Sequence, residues 1–408
     1  MDNRIFDVAI VGAGPVGASL ALGLARAGLQ TAIIDARDPS ASPKVDGRNF
    51  AIVSGSWNLL KSLGVTQALE ADCEPLHGLE AIDGGAHFFG QPRVLFSDQD
   101  MQTADPEETL GFMVMATPLQ AALDQAMADA PQLERLAPAR FERATPGLGT
   151  IEVRLADGDT IRARLLVGAD GMASPVRQAA GIPTEGRDYG KSVFAANVSL
   201  SKPHNGIARQ LFLPEGPFAT LPLKGNRANL AWYLKRGAAE YLAAGSKADA
   251  EAELNARFAD FAGEMQIEGQ AYAYPLILQV ATRMTAPRTV LVGDAARRVN
   301  PLAGQGLNQG FRDVAALIEI IEAQVSAGLD PGAETTLERY SEARRFGGTG
   351  SALALDLIDR VFSNDNDVLK PLRGLGLMAA QRFGPLRRAL AQRASATEGS
   401  VPSPMKGW

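Results

Sequence analysis

The stretch DVAIVGAGPVGASLALGLARAGLQTAIID, residues 7–35, contains the pattern that decides the fold. An apolar strand leads into Gly12-Ala-Gly14-Pro-Val-Gly17, which has the GxGxxG spacing, and residues 18–27 after it have helical composition. A second apolar strand over residues 29–34 then ends at Asp35. This order of strand, glycine-rich turn, helix, strand and terminal acid predicts a βαβ unit that binds a dinucleotide.

The residues of this unit have separate physical roles. Gly12 allows the tight turn, Gly14 lets the backbone approach a pyrophosphate, and Gly17 lets the helix pack close to the strand. Ala13 lies in the same loop, and the helix that follows presents free N–H groups to the phosphates. A carboxylate at Asp35 can accept both ribose hydroxyls. The unit alone does not distinguish FAD from NAD.

Two later segments are also strands that end in glycine and aspartate. Residues 165–171 read LLVGADG and lead through Ser174 and Pro175, a natural N-cap and first helical residue, into a short helix. Residues 289–296 read TVLVGDAA, and residues 300–310 read NPLAGQGLNQG before a long amphipathic helix. A second glycine-rich loop that opens a helix suits the negative charge of a reduced flavin. Taken singly, the acids have plain alternatives as a turn residue and a helix cap.

Together the motifs GxGxxG, GADGxxSxVR and GDAAxxxNPLAGQGLNxGxRD resemble those of the class A flavoprotein monooxygenases, whose type member is para-hydroxybenzoate hydroxylase. Within this group, the chain is most similar to the UbiH-like ubiquinone-biosynthesis hydroxylases. The segments that carry this likeness are the AGQGLN sequence, Asp46-Gly-Arg48, residues 215–223 and the tail over 340–362. The resemblance spans nearly the whole chain. It implies an α/β fold with a Rossmann-like FAD-binding lobe, a mixed-sheet α+β substrate lobe and a C-terminal helical region.

The resemblance also implies roles for matching residues. Arg48 would lie near the FAD phosphates, Gln120 near the ribityl chain, and Asp294 would bond the ribityl hydroxyls. Asp170 would support the cofactor and the nicotinamide donor, and residues 304–308 would contact the isoalloxazine ring. The complete set of implied cofactor residues is Gly12, Ala13, Gly14, Gly17, Asp35, Arg48, Gln120, Asp170, Gly171, Asp294, Gly304, Gln305, Gly306, Leu307 and Asn308.

The reacting site is less defined by the sequence. Pro301 and Gly304 are expected to form its floor, and no catalytic acid or base is assigned. The chain departs from the family pattern in two places. It has Arg297 where many relatives have histidine, and Met115-Ala116 where many have Glu-Asn. These departures concern details of flavin contact and not the identity of the cofactor.

The family's chemistry belongs largely to its cofactor. The resemblance implies that NAD(P)H reduces FAD and that oxygen adds at flavin C4a. The resulting C4a-hydroperoxyflavin then hydroxylates an electron-rich ring, and water must be excluded. The sequence contains no second GxGxxG, so the donor binds transiently or electrons come from a partner protein. The predicted substrates are O2 and a prenylated phenol intermediate of ubiquinone biosynthesis. Two alternative functions stay open. The protein could catalyse another reaction on the same scaffold, such as epoxidation or prenyl reduction, or it could be a weakly active flavin-bearing subunit of a lipid-biosynthesis complex.

Because the three motifs lie far apart in the sequence, the FAD-binding domain must be discontinuous. Four aromatic residues of the substrate domain, Phe194, Phe212, Phe218 and Trp232, either line a pocket for a prenyl tail or belong to the core. The expected domains are an FAD-binding domain over residues 1–72, 110–185 and 275–335, a substrate domain over 73–109 and 186–274, and a C-terminal helical region and tail over 336–408.

Composition excludes several other classes of protein. With 408 residues, 46% of them hydrophobic, the chain can bury the cores of two lobes. The net charge of −6 argues against nucleic-acid binding. The single cysteine, Cys73, and three scattered histidines predict neither a disulfide nor a metal site. We find no signal peptide or membrane-spanning window, and we expect a cytoplasmic protein, with peripheral attachment to the inner membrane left open.

The C-terminal region has the opposite charge to the rest of the chain. Residues 368–396 contain six basic residues and no acidic residue, and they alternate with leucines. From residue 368 to the end the net charge is +6, so residues 1–367 carry −12. This pattern fits a helix on an anionic membrane surface or an acidic partner protein, including a ubiquinone-biosynthesis complex. A capping helix that is packed on the acidic body is the alternative.

Overall fold

The fold combines three β-sheets with eight α-helices in the part of the chain that the structure describes. This computed structural model describes residues 4–41, 47–85, 91–100, 109–298, 305–344 and 401–406. The strands, numbered in chain order, are β1 Ile5–Val11, β2 Thr31–Ile34, β3 Asn49–Val53, β4 Glu74–Leu76, β5 Gly78–Asp83, β6 Arg93–Ser97, β7 Gly111–Met115, β8 Leu133–Leu136, β9 Phe141–Pro146, β10 Ile151–Leu155, β11 Thr160–Gly168, β12 Thr184–Leu200, β13 Ile207–Phe212, β14 Phe218–Leu223, β15 Arg227–Lys235, β16 Met265–Ala281, β17 Thr285–Ala286, β18 Thr289–Leu291 and β19 Arg297–Arg298. The helices are α1 Pro15–Arg26, α2 Ser54–Ser62, α3 Ala116–Ala128, α4 Pro175–Ala179, α5 Arg236–Ala244, α6 Lys247–Ala262, α7 Gln305–Ser326 and α8 over residues 334–344.

The first sheet carries five parallel strands in the order β18-β11-β1-β2-β8. Residues 8–11 of strand β1 are all apolar and buried because both faces of this part of the strand are covered. Val8 and Ile10 pack with helices α1 and α7, whereas Ala9 and Val11 pack against β10 and α4. Helices α1 and α7 cross so closely that a Cβ atom at Gly23 would lie 2.2 Å from the Ile318 side chain. The predicted βαβ unit is therefore the centre of this sheet.

Local signals in the sequence account for the ends of helix α1. Gly14 is the extended N-cap residue, and Pro15 takes the first helical position, where its fixed φ is favourable and no N–H is needed. The helix thus begins before the predicted residue 18. It ends at Arg26, and Gly28 beyond it adopts a φ of +82°, which confirms the predicted helix end.

The second sheet has the order β19-β16-β12-β15-β14-β13-β5-β6, and helices α5 and α6 cover one of its faces. In the strand register Phe194 lies opposite Trp232, and Trp232 lies opposite Phe218. Phe218 stacks on Phe258 of α6 with 3.8 Å between ring centroids. Phe194, Phe218 and Trp232 are therefore core residues on the helix-covered face, which is the second of the two alternatives that the sequence left open. Phe212 is also buried but lies outside that cluster.

A small third sheet, β3-β7-β4, lies between the two larger ones. Its residues Ala51 and Met113 pack against Leu221 and Leu223 of β14. The predicted strands near 192–200, 208–213 and 228–234 all exist, and β12 begins eight residues earlier than predicted.

The end of the chain returns to the first core. Val401 and Met405 are buried in the cluster that contains α2 and α7. Asn58 Nδ2 donates to the Met405 carbonyl at 3.3 Å, and Ser403 Oγ donates to Glu319 at 2.7 Å. The basic stretch predicted at residues 368–396 lies outside the described residues.

Candidate functional site

The sequence motifs converge because they follow neighbouring parallel strands. The glycine-rich turn follows β1, Asp35 follows β2, Asp170 follows β11, and Asp294 follows β18. Backbone hydrogen bonds join these ends: Gly12 N donates to Ile34 O at 2.8 Å, and the N–H of the residue before Asp170 donates to Val11 O at 2.8 Å. In open α/β sheets, ligands bind at the carboxyl ends of such strands.

The three glycines of the first turn differ in what surrounds them. A Cβ atom at Gly12, whose φ is +102°, would lie 2.4 Å from the Ala169 carbonyl oxygen. A Cβ atom at Gly17 would lie 1.9 Å from the Gly12 carbonyl oxygen, whereas one at Gly14 would meet nothing within 4 Å. Gly12 and Gly17 are thus required by packing, and Gly14 borders open space at the N-terminus of α1. A pyrophosphate fits this arrangement.

Asp35 and Gln120 both hold the glycine-rich loop. Asp35 Oδ2 accepts a hydrogen bond from Ala13 N at 2.6 Å, and its Oδ1 accepts one from Arg37 N at 2.7 Å. Gln120 Nε2 donates to the Ala13 carbonyl at 2.9 Å and to Asp124 at 3.2 Å. The structure therefore connects Gln120 to the loop backbone, a contact that the sequence did not predict. The proposed ribose and ribityl contacts of these residues stay predictions.

The carboxylate of Asp170 is used within its own turn. Ser174 Oγ donates to its Oδ1 at 2.5 Å and Val176 N donates to its Oδ2 at 2.9 Å. Ser174 also accepts from Arg177 N at 3.0 Å, which confirms it as the N-cap of α4. Burial raises the pKa of Asp170, and these hydrogen bonds oppose the shift. Asp170 therefore shapes the loop in which Gly171 adopts a φ of +79°.

Asp294 is an exposed residue in the loop after β18. Although the residue is exposed, the surrounding protein desolvates its carboxyl group enough to raise the pKa of that group. The positive charges of Arg298 and Arg48 act in the opposite direction. Within the described ranges Asp294 makes no hydrogen bond, so it has acceptors available for hydroxyl groups. Its loop is fixed from behind by Arg177, whose Nη1 donates to the Ala295 carbonyl at 3.0 Å.

A buried charge cluster lies beneath the Asp294 loop. Asp313 of α7 is fully buried and accepts from Gly293 N at 3.0 Å, from Arg344 Nε at 2.6 Å, and from Arg297. Arg297, which replaces the histidine of many relatives, is thus an ion-pair partner within the core. Asp313 is the last residue of the motif GDAAxxxNPLAGQGLNxGxRD and Arg344 lies in the tail over 340–362, but the sequence assigned neither residue a role. The available signal was an aspartate inside the apolar stripe of an amphipathic helix.

The first turn of α7 is attached to β3 by one side chain. Asn308 Oδ1 accepts from Val53 N at 3.1 Å, and Asn308 Nδ2 donates to the Ala51 carbonyl at 2.7 Å. Asn308 therefore acts as a strand-like partner for β3. Leu307 packs against the first core, and a Cβ atom at Gly306 would meet nothing within 4 Å. The predicted floor residues, Pro301 and Gly304, and the side chain of Gln305 lie outside the described residues.

The second sheet covers these strand ends. Its Tyr272 ring lies so close to the segment before β3 that a Cβ atom at Gly47 would be 2.5 Å from it. Asn49 Nδ2 donates to Asn197 Oδ1 of β12 at 2.8 Å. The second sheet thus contacts β3 and the segment before it. At the carboxyl ends of the first sheet, the glycine cradle, the accessible Asp294 carboxylate and the helix N-terminus fit FAD. The described residues contain no cluster of acids, histidines and cysteine that could hold a metal ion.

Comparisons with known proteins identify the family of the chain. The profile of the FAD binding domain family matches residues 6–349. Ubiquinone hydroxylase UbiL of Rhodospirillum rubrum is 37% identical over 98% of this chain and 92% of its own length. The 3-demethoxyubiquinol 3-hydroxylase of Escherichia coli is 36% identical over 95% and 98%. The crystal structure of p-nitrophenol 4-monooxygenase from Pseudomonas putida has the same fold, with a TM-score of 0.76 at 17% identity over 95% of this chain and 97% of that one.

The fold, the site and these likenesses define an FAD-dependent monooxygenase of the aromatic-hydroxylase class. Within that class, the chain belongs to the family of ubiquinone-biosynthesis hydroxylases. The predicted fold class, family, cofactor and enzyme class are thereby confirmed.

Proposed function

We propose that this FAD-dependent hydroxylase of ubiquinone biosynthesis acts on the aromatic ring of a prenylated phenol. The observation that carries the proposal is the convergence of the glycine cradle, the Asp170 turn and Asp294 beneath the second sheet. The two relatives compared above are named for hydroxylation of ubiquinone or demethoxyubiquinol. A prenylated phenol is consistent both with those names and with hydroxylation of an aromatic ring.

In this function the chain's own residues bind and orient the cofactor. In this proposal the turn from Gly12 to Gly17 holds the pyrophosphate, and Asp35 holds the adenosine ribose. Asp294 accepts from the ribityl hydroxyls, and Arg48 offsets its negative charge. The N-terminal turn of α7 stabilises negative charge on the reduced ring system. When bound, FAD supplies the redox and oxygen-activating chemistry.

The second sheet excludes water from the reacting region. It does so by closing on the segment before β3, where Tyr272 meets Gly47 and Asn197 meets Asn49. Water exclusion favours hydroxylation over unproductive loss of the oxidant. We assign NAD(P)H as a transient reductant and Pro301 and Gly304 as the floor of the site, both from the family resemblance. The division into discontinuous FAD-binding, substrate and C-terminal parts is proposed on the same basis.

A prenylated substrate resides in the membrane, and we propose that the enzyme meets it at the inner membrane. None of the described helices is long and apolar enough to span a bilayer. The basic residues of 368–396 suit an anionic surface or an acidic partner in a biosynthetic complex. Support for this part of the proposal is the charge pattern of the sequence.

Product analysis tests the proposal. Purified holoenzyme is incubated with NADPH, 18O2 and prenylphenols of different ring substitution, and products are identified by mass spectrometry. We expect one labelled oxygen on the ring of at least one prenylphenol. Short polar phenols that react as well as prenylated ones contradict the prenyl assignment. Labelled epoxide, saturated prenyl chains, or NADPH consumption without an oxygenated product support the alternative reactions instead.

A further inference from the structure

A row of small side chains crosses the face of the second sheet that is turned toward the first. In the strand register Ala219 lies opposite Ala231, and Ala231 lies opposite Ala195. Their immediate chain neighbours Phe218, Trp232 and Phe194 point to the other face and are buried under α6. The alanines themselves keep partial solvent exposure. Neighbouring strands lie about 4.8 Å apart, so the row spans about 10 Å, the width of a substituted benzene ring.

Two asparagines lie along one side of this row. Asn197 and Asn229, two residues from Ala195 and Ala231 on the same strands, lie directly opposite each other and share the face of the alanines. Asn197 Oδ1 accepts from Asn229 Nδ2 at 3.0 Å and from Asn49 Nδ2 at 2.8 Å. This oxygen therefore holds two amides at once. The network joins β12 and β15 to β3, which leads into the contact with Asn308.

The asparagine network leaves polar atoms without partners. The Asn229 side chain belongs to a residue that is only 8% exposed, and its Oδ1 makes no hydrogen bond within the described part of the chain. The same holds there for Asn49 Oδ1, which is fully buried. Buried amides of this kind are usually satisfied, because an unpaired polar atom removed from water costs free energy. Asn197 Nδ2 donates to none of the described residues and so adds donors on the same side.

The remaining end of the row is aromatic. Ala195 lies opposite Tyr272 on β16, and Tyr272 stacks with Tyr274 at 5.8 Å between ring centroids. The Tyr272 ring also lies against Gly47 of the segment before β3. The alanine row is thus bounded by a flat aromatic group at one end and by polar amides along one side.

We propose that this slot, with Ala195, Ala219 and Ala231 as its base, binds the ring of the substrate. The inference rests on the proposed function and assigns the ring's recognition. The alanines set the permitted thickness of the ring. Asn229 and Asn197 hold a ring hydroxyl, because such a group donates one hydrogen bond and accepts others, and so matches a free amide oxygen beside a free amide nitrogen. Ring size and hydroxyl position are therefore read by different residues.

The first test fills the slot. Ala231→Leu adds bulk at its centre, and Ser199→Val adds a branched side chain on the same face of β12 beyond the asparagines, as a matched control. Dissociation constants for a phenol are measured on anaerobic holoenzyme from the perturbation of flavin absorbance. We expect Ala231→Leu to weaken phenol binding about tenfold or more, and Ser199→Val to change it less than about twofold. FAD affinity should stay unchanged in both variants.

The second test separates recognition from structural support. Asn229→Leu keeps the approximate volume and removes the amide. We expect it to weaken binding of a hydroxylated ring about two- to tenfold. Binding of the same ring without the hydroxyl should stay as in the wild type. Equal weakening of both ligands assigns Asn229 a purely structural role and overturns the hydroxyl contact.

Binding without turnover keeps this inference distinct from the proposed function. If wild-type protein binds phenols but forms no hydroxylated product, the proposed function fails and the slot is still judged by Ala231→Leu. If Ala231→Leu binds phenols as tightly as the wild type, the slot is overturned even in an active hydroxylase.

Discussion

Asp313 of helix α7 accepts a hydrogen bond from the backbone N–H of Gly293 at 3.0 Å, and so attaches the long helix to the loop that carries Asp294. The same carboxylate pairs with Arg297 and Arg344, which are both buried. One side chain thus joins β18, α7 and α8 behind the cofactor site. The position of Asp294 depends on this cluster.

Removal of the Asp313 charge should therefore destabilise the folded protein. Asp313→Asn keeps the shape but leaves two buried guanidinium groups without their counter-charge, and we expect the free energy of unfolding to fall by about 3–5 kcal/mol. Urea denaturation measures it. Glu134→Gln is the control, because its pair with Arg4 at 3.0 Å is exposed, and it should cost less than about 1 kcal/mol. Similar losses of unfolding free energy in the two variants would show that the buried cluster stabilises the fold no more than an exposed ion pair does.

The glycine turn offers a test that separates packing from cofactor contact. A methyl group at Gly17 would overlap the Gly12 carbonyl, whereas one at Gly14 would enter open space. We expect Gly17→Ala to lower the free energy of unfolding of apo-protein by about 1–3 kcal/mol. Gly14→Ala should leave that value nearly unchanged and weaken FAD binding, measured by titration of apo-protein. If Gly14→Ala binds FAD normally, the pyrophosphate does not approach this residue.

Asp294 should favour cofactor binding at the expense of apo-protein stability. Burial raises the pKa of its carboxyl group, so the folded chain holds this proton more tightly than the unfolded chain does. The stability that the group contributes is then present below the ordinary carboxyl pKa and is lost as the pH rises through the raised value. Asp294→Asn removes this loss, and apo-protein unfolding from pH 3 to 7 measures it.

The stability advantage of Asp294→Asn over the wild type should accordingly grow with pH. FAD titration of Asp294→Ala should in contrast show a loss of about 1.5–3 kcal/mol of binding free energy, as expected for a charge-assisted hydrogen bond. An unchanged FAD dissociation constant would reduce Asp294 to a residue of the loop. A stability difference that is independent of pH would contradict the raised pKa.

The parts of the fold that were predictable from the sequence are those encoded by short local patterns. The unit over residues 7–35 combines apolar strands, a glycine spacing and a terminal acid, and each signal acts within a few residues. Ser174 and Gly28 were likewise identified as helix-end residues, because capping depends on neighbouring backbone groups.

Long-range pairing was not predictable in the same way. Asp313 and its arginine partners are 16 and 31 residues apart in the sequence, and nothing local specifies which charges meet in the core. Strand alternation placed Phe194 and Trp232 among apolar positions, but alternation does not tell which face the helices cover. That choice depends on where α6 packs, and so the slot over Ala195 and Ala231 became visible only with the register.

The fold determines how membrane binding by the basic stretch at residues 368–396 can be tested. Truncation before this stretch would also remove Val401 and Met405, which are buried against the first core, so a shortened chain would lose stability and lipid contact together. Arg387→Gln, Arg388→Gln and Arg393→Gln combined leave the terminal segment in place. At about 1 kcal/mol for each basic residue near an anionic surface, membrane binding should weaken by about 3 kcal/mol. Co-sedimentation with vesicles of phosphatidylglycerol or of phosphatidylcholine, at low and high salt, measures this membrane binding. The control is a variant with the same change of charge at exposed positions, Arg140→Gln, Arg143→Gln and Arg162→Gln combined. Binding to anionic vesicles that the tail substitutions do not reduce, or reduce no more than the control does, would favour a capping helix packed on the acidic body.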